Sequence, residues 1–236
     1  MHGRQSQFKK LVHAVSRSLP QSCDAAVPEA QRNGWLIDLP DRFCHRCGAS
    51  AGQGACTPRG CPACVGQRIA WDKMVRLSAY STPMKDWIVA MKFQRDWSWA
   101  KWFGTRLAER IELSTNGDRV VVCPVPMHWR RRVWRGYNQA QLIASAMARS
   151  RGWPVASLLR RTSFTRPQTG MAPARRQANA RRSFSDRCIN LTGWSIWLVD
   201  DVKTTGATLT ACARLLRRAG AQQVNAAVAA VADPRR

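Results

Sequence analysis

Residues 195–208 read Ser195-Ile196-Trp197-Leu198-Val199-Asp200-Asp201-Val202-Lys203-Thr204-Thr205-Gly206-Ala207-Thr208: an apolar run, two adjacent carboxylates, and a hydroxyl-rich turn closed by glycine. The run from Ile196 to Val199 has no alternation, which predicts a strand buried on both faces of a parallel sheet. From Thr208 the spacing becomes helical. Leu209, Cys212, Ala213 and Leu216 recur at i, i+3, i+4 and i+7, Arg217 and Arg218 sit where a helix C-terminus favours cations, and Gly220 can take the left-handed cap. The turn therefore joins a buried strand to a helix.

The unpaired N–H groups at such a helix start, its positive dipole end and the hydroxyls of Thr204, Thr205 and Thr208 make a cradle for a monophosphate. Gly206 lets the backbone approach closely, and Lys203 adds a cation. Ionised Asp200 and Asp201 only accept hydrogen bonds, which suits the vicinal diol of a ribose. Together these residues describe a ribose 5-phosphate site. Val199 to Thr208 resembles the phosphoribosyl-pyrophosphate (PRPP) signature of type I phosphoribosyltransferases. The resemblance implies that Asp200 and Asp201 hold the ribose hydroxyls. It places Lys203, Thr204, Thr205, Gly206, Ala207 and Thr208 around the 5-phosphate, with Mg²⁺ carried largely on substrate oxygens. A receiver-domain pocket also ends a buried strand in Asp-Asp, but that strand should open its domain and need not precede Thr-Thr-Gly.

The chain has 236 residues, room for one medium domain and a small appendage. Lys and Arg number 38 against 14 Asp and Glu, a net charge of +24. A field of that sign favours polyanions, nucleic acid or phosphorylated substrates. Between His128 and Arg187 there are fourteen Arg, no Lys and one acid. Arginine forks suit phosphates, and Arg130, Arg131, Arg132, Arg175, Arg176, Arg181 and Arg182 are candidate nucleic-acid contacts. The bias of 31 Arg over 7 Lys across the whole chain is equally explained by genomic base composition.

Two C-x-x-C pairs, Cys44/Cys47 and Cys61/Cys64, are separated by thirteen residues rich in Gly, Ala and Pro. Each pair offers two thiolates from one tight turn, and four complete a tetrahedron, the pattern of a structural zinc ribbon. Cys56, inside the loop, is an alternative ligand. The apolar run Leu11-Val12 is broken by His13, so neither a signal peptide nor a membrane span is expected, and the expected compartment is cytoplasmic. Clustered thiols there should be reduced and metal-binding.

Along the rest of the chain, a strand is expected around Arg76–Tyr80 and helices from Pro83 to Phe93 and from Ser98. Trp99, Phe103, Leu107 and Ile111 form the core line of the second helix. Trp87, Trp97 and Trp102 either pack against the sheet or stack on bases of a single strand. A buried strand runs from Val120 toward Pro126. Asn138 is expected to cap the next helix, with Leu142, Ile143, Ala146 and Met147 on its line. A further strand is expected within Trp153 to Leu159, a loop at 165–170, a basic helix at 173–182 and a last strand at Val224–Val231. Phe8, Leu11, Val12 and Val15 fit a short helix.

The order of these pieces is similar to the ComF family of competence-associated proteins, a zinc ribbon before a phosphoribosyltransferase-like domain. The resemblance rests on the two Cys pairs, Lys92-Phe93, Pro124-Val125-Pro126, Arg135-Gly136-Tyr137-Asn138-Gln139, Pro167-Gln168-Thr169-Gly170, Arg175-Arg176 with Asn179, Phe184, and residues 199–208. It implies an α/β fold: a type I phosphoribosyltransferase-like parallel sheet flanked by helices, preceded by a small four-cysteine zinc ribbon. The expected division is 1–40 of unassigned role, 41–68 as ribbon and 70–236 as the phosphoribosyltransferase-like domain. Arg135 and Lys92 are the candidates on the pyrophosphate side. Purine-salvage members carry an acid where Thr204 stands, so a purine acceptor is not expected. Two functions follow. One is a PRPP-binding protein, as a Mg²⁺-dependent phosphoribosyltransferase of unassigned acceptor, serving DNA uptake or the use of imported DNA. The other is a non-catalytic adaptor that binds single-stranded DNA, works with DNA-uptake proteins, and keeps a vestigial or regulatory nucleotide pocket.

Overall fold

The computed structural model describes residues 23–112, 119–128, 133, 136–162, 183–187 and 190–232. In chain order the elements are α1 (Cys23–Arg32), β1 (Met74–Ala79), α2 (Met84–Phe93), α3 (Ser98–Glu109), β2 (Arg119–Pro124), α4 (Gln139–Arg151), β3 (Leu159–Arg161), β4 (Phe184–Asp186), β5 (Trp194–Lys203), α5 (Ala207–Arg218) and β6 (Gln223–Val231). Four strands form a parallel sheet in the order β1–β6–β5–β2.

β5 lies inside this sheet, and Ile196 to Val199 are buried, as a run without alternation requires. Its side chains divide between two cores. Trp197 and Val199 join Val75, Leu77, Val122 and Ala227 on one face, packed by α1, α2, α3 and α4. Ile196 and Leu198 join Met74, Cys123, Ala226 and Val228 on the other, packed by α5 and by β3 with β4. The result is a three-layer α/β/α arrangement, the architecture that covers both faces of a parallel sheet. On the first face α3 and α4 touch at Gly104, where a Cβ would stand 2.5 Å from the Ala146 Cβ and 2.5 Å from the Ile143 carbonyl oxygen. Only a residue without a side chain allows that approach.

Strand order places the functional edge. From β2 the chain returns through α4 to Val155, which forms a parallel bridge with Val122 on the outer side of β2. From β5 it returns through α5 to β6, on the opposite side. Connections diverge between β2 and β5, and the carboxyl ends of two such strands frame a crevice where ligands bind in open α/β sheets.

The 36–50 segment is tied to β1 by Arg76, a buried arginine with 1% of its surface exposed. It donates to the Gly48 carbonyl at 2.7 Å, to Ser50 Oγ at 2.9 Å and to Asp38 Oδ2 at 2.6 Å, while its guanidinium lies 5.2 Å from the Phe43 ring centroid. A buried cation needs this many partners, and removing them would cost several kcal/mol.

Three local expectations change. β1 starts at Met74 rather than near Arg76, because the Met74 N–H is held by the His45 carbonyl and the Ala226 N–H by that of Lys73. The strand expected within Trp153 to Leu159 is reduced to the Val155 bridge. Pro154 has no N–H to extend the ladder, and the continuous strand begins at Leu159, antiparallel to Phe184–Asp186. α1 is an element the sequence pattern does not announce: its buried line is only Cys23, Ala26 and Val27, and Pro28 lies inside it. The helix expected over Phe8 to Val15, the loop at 165–170 and the helix at 173–182 lie outside the described residues.

Candidate functional site

Asp200 and Asp201 lie at the carboxyl end of β5, at the crevice defined by the strand order, and are half-buried. The chain then turns through exposed Thr204 and Thr205 into α5. Gly206 caps α5 with φ +75°, the left-handed region. A Cβ there would also meet Trp71 Cη2 at 3.2 Å and Lys203 Cε at 3.3 Å. Both the turn and its neighbours therefore require glycine. Thr205 Oγ1 accepts from the Ala207 N–H at 3.4 Å, and the amides of the first turn of α5 open toward the same space.

Two adjacent carboxylates in a half-buried site repel each other, and the structure meets that charge from both sides. Lys92, on the last turn of α2, places Nζ 2.9 Å from Asp201 Oδ2. The Asp201 N–H donates to Asp200 Oδ1 at 2.9 Å. Burial, followed by the charge of Asp201, pushes the Asp200 carboxyl up to about 7, against the pull of the Asp201 amide, Lys92 and Arg161. Arg161, at the end of β3, has no distinguishing mark in the sequence, where it is one arginine among fourteen.

The opposite wall of the crevice follows β2. Asn138 accepts from the Ala140 N–H at 3.2 Å and so caps α4, as its position predicts. Its Nδ2 donates to the Val125 carbonyl at 3.1 Å, holding the loop to the strand it leaves. Tyr137 donates its hydroxyl proton to the Met91 carbonyl, one residue from Lys92. The two walls are thus linked through the end of α2.

The four predicted cysteines come together. The Sγ atoms of Cys44, Cys47, Cys61 and Cys64 lie within 4.8 Å of one another and are buried. The pairs Cys44–Cys64, Cys47–Cys61 and Cys61–Cys64 stand at 3.7, 3.6 and 3.9 Å. A tetrahedral ion with bonds of about 2.3 Å to sulfur has edges of about 3.8 Å. The donor set therefore fits a metal such as zinc. Burial opposes charge on Cys44, yet the backbone amides of Cys47, Arg46 and Cys61 bring it down to about 6, a thiolate-forming environment. Cys56 packs against this cluster half-buried and is not one of the four.

One side chain joins the cysteine cluster to the turn. Trp71 is buried, its Nε1–H donates to the Arg46 carbonyl at 2.8 Å between the first two cysteines, and its ring is the neighbour that Gly206 must clear. Asp72 beside it accepts from the Val224 N–H at 2.9 Å and pairs with Arg217. An isolated tryptophan between two motifs offers no sequence signal for this role.

Of the residues chosen from sequence, Asp200, Asp201, Lys203, Thr204, Thr205, Gly206, Ala207, Thr208 and Lys92 lie at one edge. Lys92 faces the carboxylates, where the pyrophosphate side was expected. Arg135 and the candidate contacts Arg130, Arg131, Arg132, Arg175, Arg176, Arg181 and Arg182 lie outside the described residues.

The phosphoribosyl transferase domain family matches residues 135–236, the segment that contains this turn. The chain is 30% identical over 191 residues to the DNA utilization protein YhgH of Escherichia coli (strain K12), a match spanning 77% of this chain and 81% of that protein. The chain belongs to the ComF family. Competence protein F of Haemophilus influenzae is 29% identical to this ComF-family chain over 194 residues, 77% of this chain and 81% of the relative. A looser likeness is to the solved glutamine PRPP amidotransferase of B. subtilis, with a TM-score of 0.38 and 22% identity over 55% of this chain and 25% of that one. The parallel sheet, the matched domain and the cysteine cluster make this a type I phosphoribosyltransferase-like ComF-family protein with a ribbon that can hold metal. Among the described residues no helix is long and apolar enough to cross a membrane.

The raised Asp200 carboxyl has a thermodynamic consequence. A carboxyl lifted from 3.8 to about 7 costs nothing at pH values below its unfolded pKa, and its penalty grows as pH rises toward 7. Asp200→Asn keeps the acceptor for the Asp201 amide and removes that penalty. The variant should unfold at higher temperature than the wild type at pH 8, with the advantage fading as pH falls from 7 to about 4. Parallel melting curves at all pH values would contradict the assignment.

Proposed function

We propose that this chain binds PRPP, or a nucleoside monophosphate with the same ribose 5-phosphate, and works in DNA uptake or in the use of imported DNA. The observation that carries this reading is the placement of Asp200 and Asp201 at the switch between β2 and β5, followed at once by the Gly206-capped start of α5. A diol donates its hydroxyl protons to the carboxylates, and a phosphate on the turn that follows accepts from the amides at the helix start. The names of its relatives, Competence protein F and DNA utilization protein, support the process.

In this reading Asp200 and Asp201 accept from the ribose hydroxyls, Lys203 and residues 204–208 hold the 5-phosphate, and Lys92 holds Asp201 in place. Arg135, between β2 and α4 in the sequence, is the pyrophosphate candidate. Asp201 already carries Lys92 at 2.9 Å, so the carboxylates offer Mg²⁺ little. The ion fits as one brought on PRPP oxygens, where it would neutralise the departing pyrophosphate. Turnover as a phosphoribosyltransferase is part of the proposal, and Thr204 in place of an acid argues against a purine acceptor. The four cysteines hold one structural zinc that braces Trp71 against the phosphate turn.

The net charge of +24 favours a second reading, an adaptor that binds single-stranded DNA through its arginine-rich 128–187 segment. Such binding should weaken steeply with salt as counterions are released. The two readings are compatible in one protein.

PRPP with Mg²⁺ should raise the melting temperature of the wild type and leave the Asp200→Asn, Asp201→Asn double variant unmoved. Equal shifts in both proteins would sink the ribose assignment. Metal analysis of freshly purified, reduced protein should find one zinc per chain, lost in Cys44→Ser and in Cys61→Ser. Metal-free wild-type protein with a folded ribbon would refute the zinc.

A further inference from the structure

Among the described residues every tryptophan but one is buried or half-buried. Trp71, Trp87, Trp99 and Trp197 are covered, and Trp35 and Trp102 pack around Trp87. Trp97 is the described tryptophan left exposed, with 56% of its surface open. Single exposed apolar residues are ordinary on protein surfaces, so exposure alone decides nothing. The position and the rigidity of this one decide more.

Its backbone is fixed on both sides. Arg95, two residues before it, is the non-glycine residue that holds a left-handed conformation in the described chain, with φ +58°. Asp96 Oδ1 then accepts from the Ser98 N–H at 3.1 Å and from the Ser98 hydroxyl, closing the start of α3. Trp97 stands at the cap position of that helix and makes no capping hydrogen bond with its side chain. The left-handed Arg95 and the Asp96–Ser98 bonds together fix the backbone on either side of the ring.

The ring lies against Tyr137, two residues ahead of α4. The Trp97 ring meets the edge or face of Tyr137 at a centroid distance of 5.8 Å and an interplanar angle of 68°. Tyr137 donates to the Met91 carbonyl, and the next residue, Lys92, pairs with Asp201 at 2.9 Å. Two contacts, one peptide step and an ion pair therefore link the exposed indole, through Tyr137 and the end of α2, to Asp201. A T-shaped partner steadies an aromatic ring while leaving surface open for a second planar group.

We infer that Trp97, steadied by Tyr137, is a stacking platform for an unpaired nucleobase beside the ribose 5-phosphate site. The inference rests in part on that reading, because it places the base next to the sugar on which it would be joined or read. The chemistry recognised is the π-face of a base, which every base possesses, so the platform is tolerant of sequence. Two sources supply such a base: a free nucleobase serving as acceptor, or a base of a single DNA strand threaded across the crevice.

The test uses full-length protein and fluorescence anisotropy with a short thymine oligonucleotide and the same oligonucleotide carrying abasic sites, at low and high salt. The wild type should bind the thymine strand about tenfold or more tighter than the abasic one, the value of a base stacked on an aromatic ring. Trp97→Ala should lose that difference while keeping the wild-type dependence on salt, and Trp97→Phe should retain most of it. A second arm adds free bases to protein saturated with PRPP and reads the melting temperature. A base-dependent shift absent in Trp97→Ala assigns a free base to the platform. Wild-type protein that ignores both abasic substitution and free bases overturns the proposal, as does a folded Trp97→Ala that retains full discrimination. A PRPP-induced shift persisting alongside either result would leave the ribose assignment standing, whereas discrimination between strands without any PRPP shift would remove that assignment and leave the platform.

Discussion

Two neighbouring carboxylates on a half-buried strand end repel each other, and the architecture around Asp200 and Asp201 is arranged to meet that repulsion. Lys92 arrives on the last turn of α2, Arg161 from β3, and an amide from the Asp201 backbone. Even so, burial and the second charge leave the Asp200 carboxyl titrating near neutral pH. A partner that donates hydrogen bonds would favour the charged form there. In the proposed reading a ribose diol is that partner, and the helix start beyond Gly206 takes its 5-phosphate on the same turn.

The cysteine ribbon belongs to the same construction. Arg76 binds the 36–50 segment to β1 by three hydrogen bonds, and Trp71 carries the position of the first knuckle to Gly206. The ribbon packs on the sheet's second face, where Met74 and Val231 lie close to Gly48. Its metal, in the proposed reading, is remote from the chemistry and acts by bracing the floor under the phosphate turn.

Much of this is legible in the residues. β5 announces itself because a strand covered on both faces must be apolar without alternation, and α5 because its buried line keeps helical spacing between a glycine at each end. The cysteine cluster follows from paired spacing, since each tight turn can point two sulfurs the same way. The less legible parts are those decided by partners distant in sequence. Lys92 carries in the sequence no mark of the partner it takes, and only the fold sets it against Asp201. Arg161 is hidden among its neighbours, and Trp71 and Trp97 share one residue type with opposite fates. α1 escapes notice because three buried positions interrupted by Pro28 make too weak a period.

In the proposed reading the hydroxyls of a bound ribose donate to Asp200, whose carboxyl is held up to about 7 in the free protein by burial and the neighbouring charge. Carbon NMR of the aspartate carboxyl, assigned by its loss in Asp200→Asn, reads this state directly. In the free protein the Asp200 signal should titrate with a midpoint near 7, and saturating PRPP should move that midpoint well down, because hydrogen bonds donated to a carboxylate favour its charged form. A midpoint unchanged by bound PRPP would contradict the account.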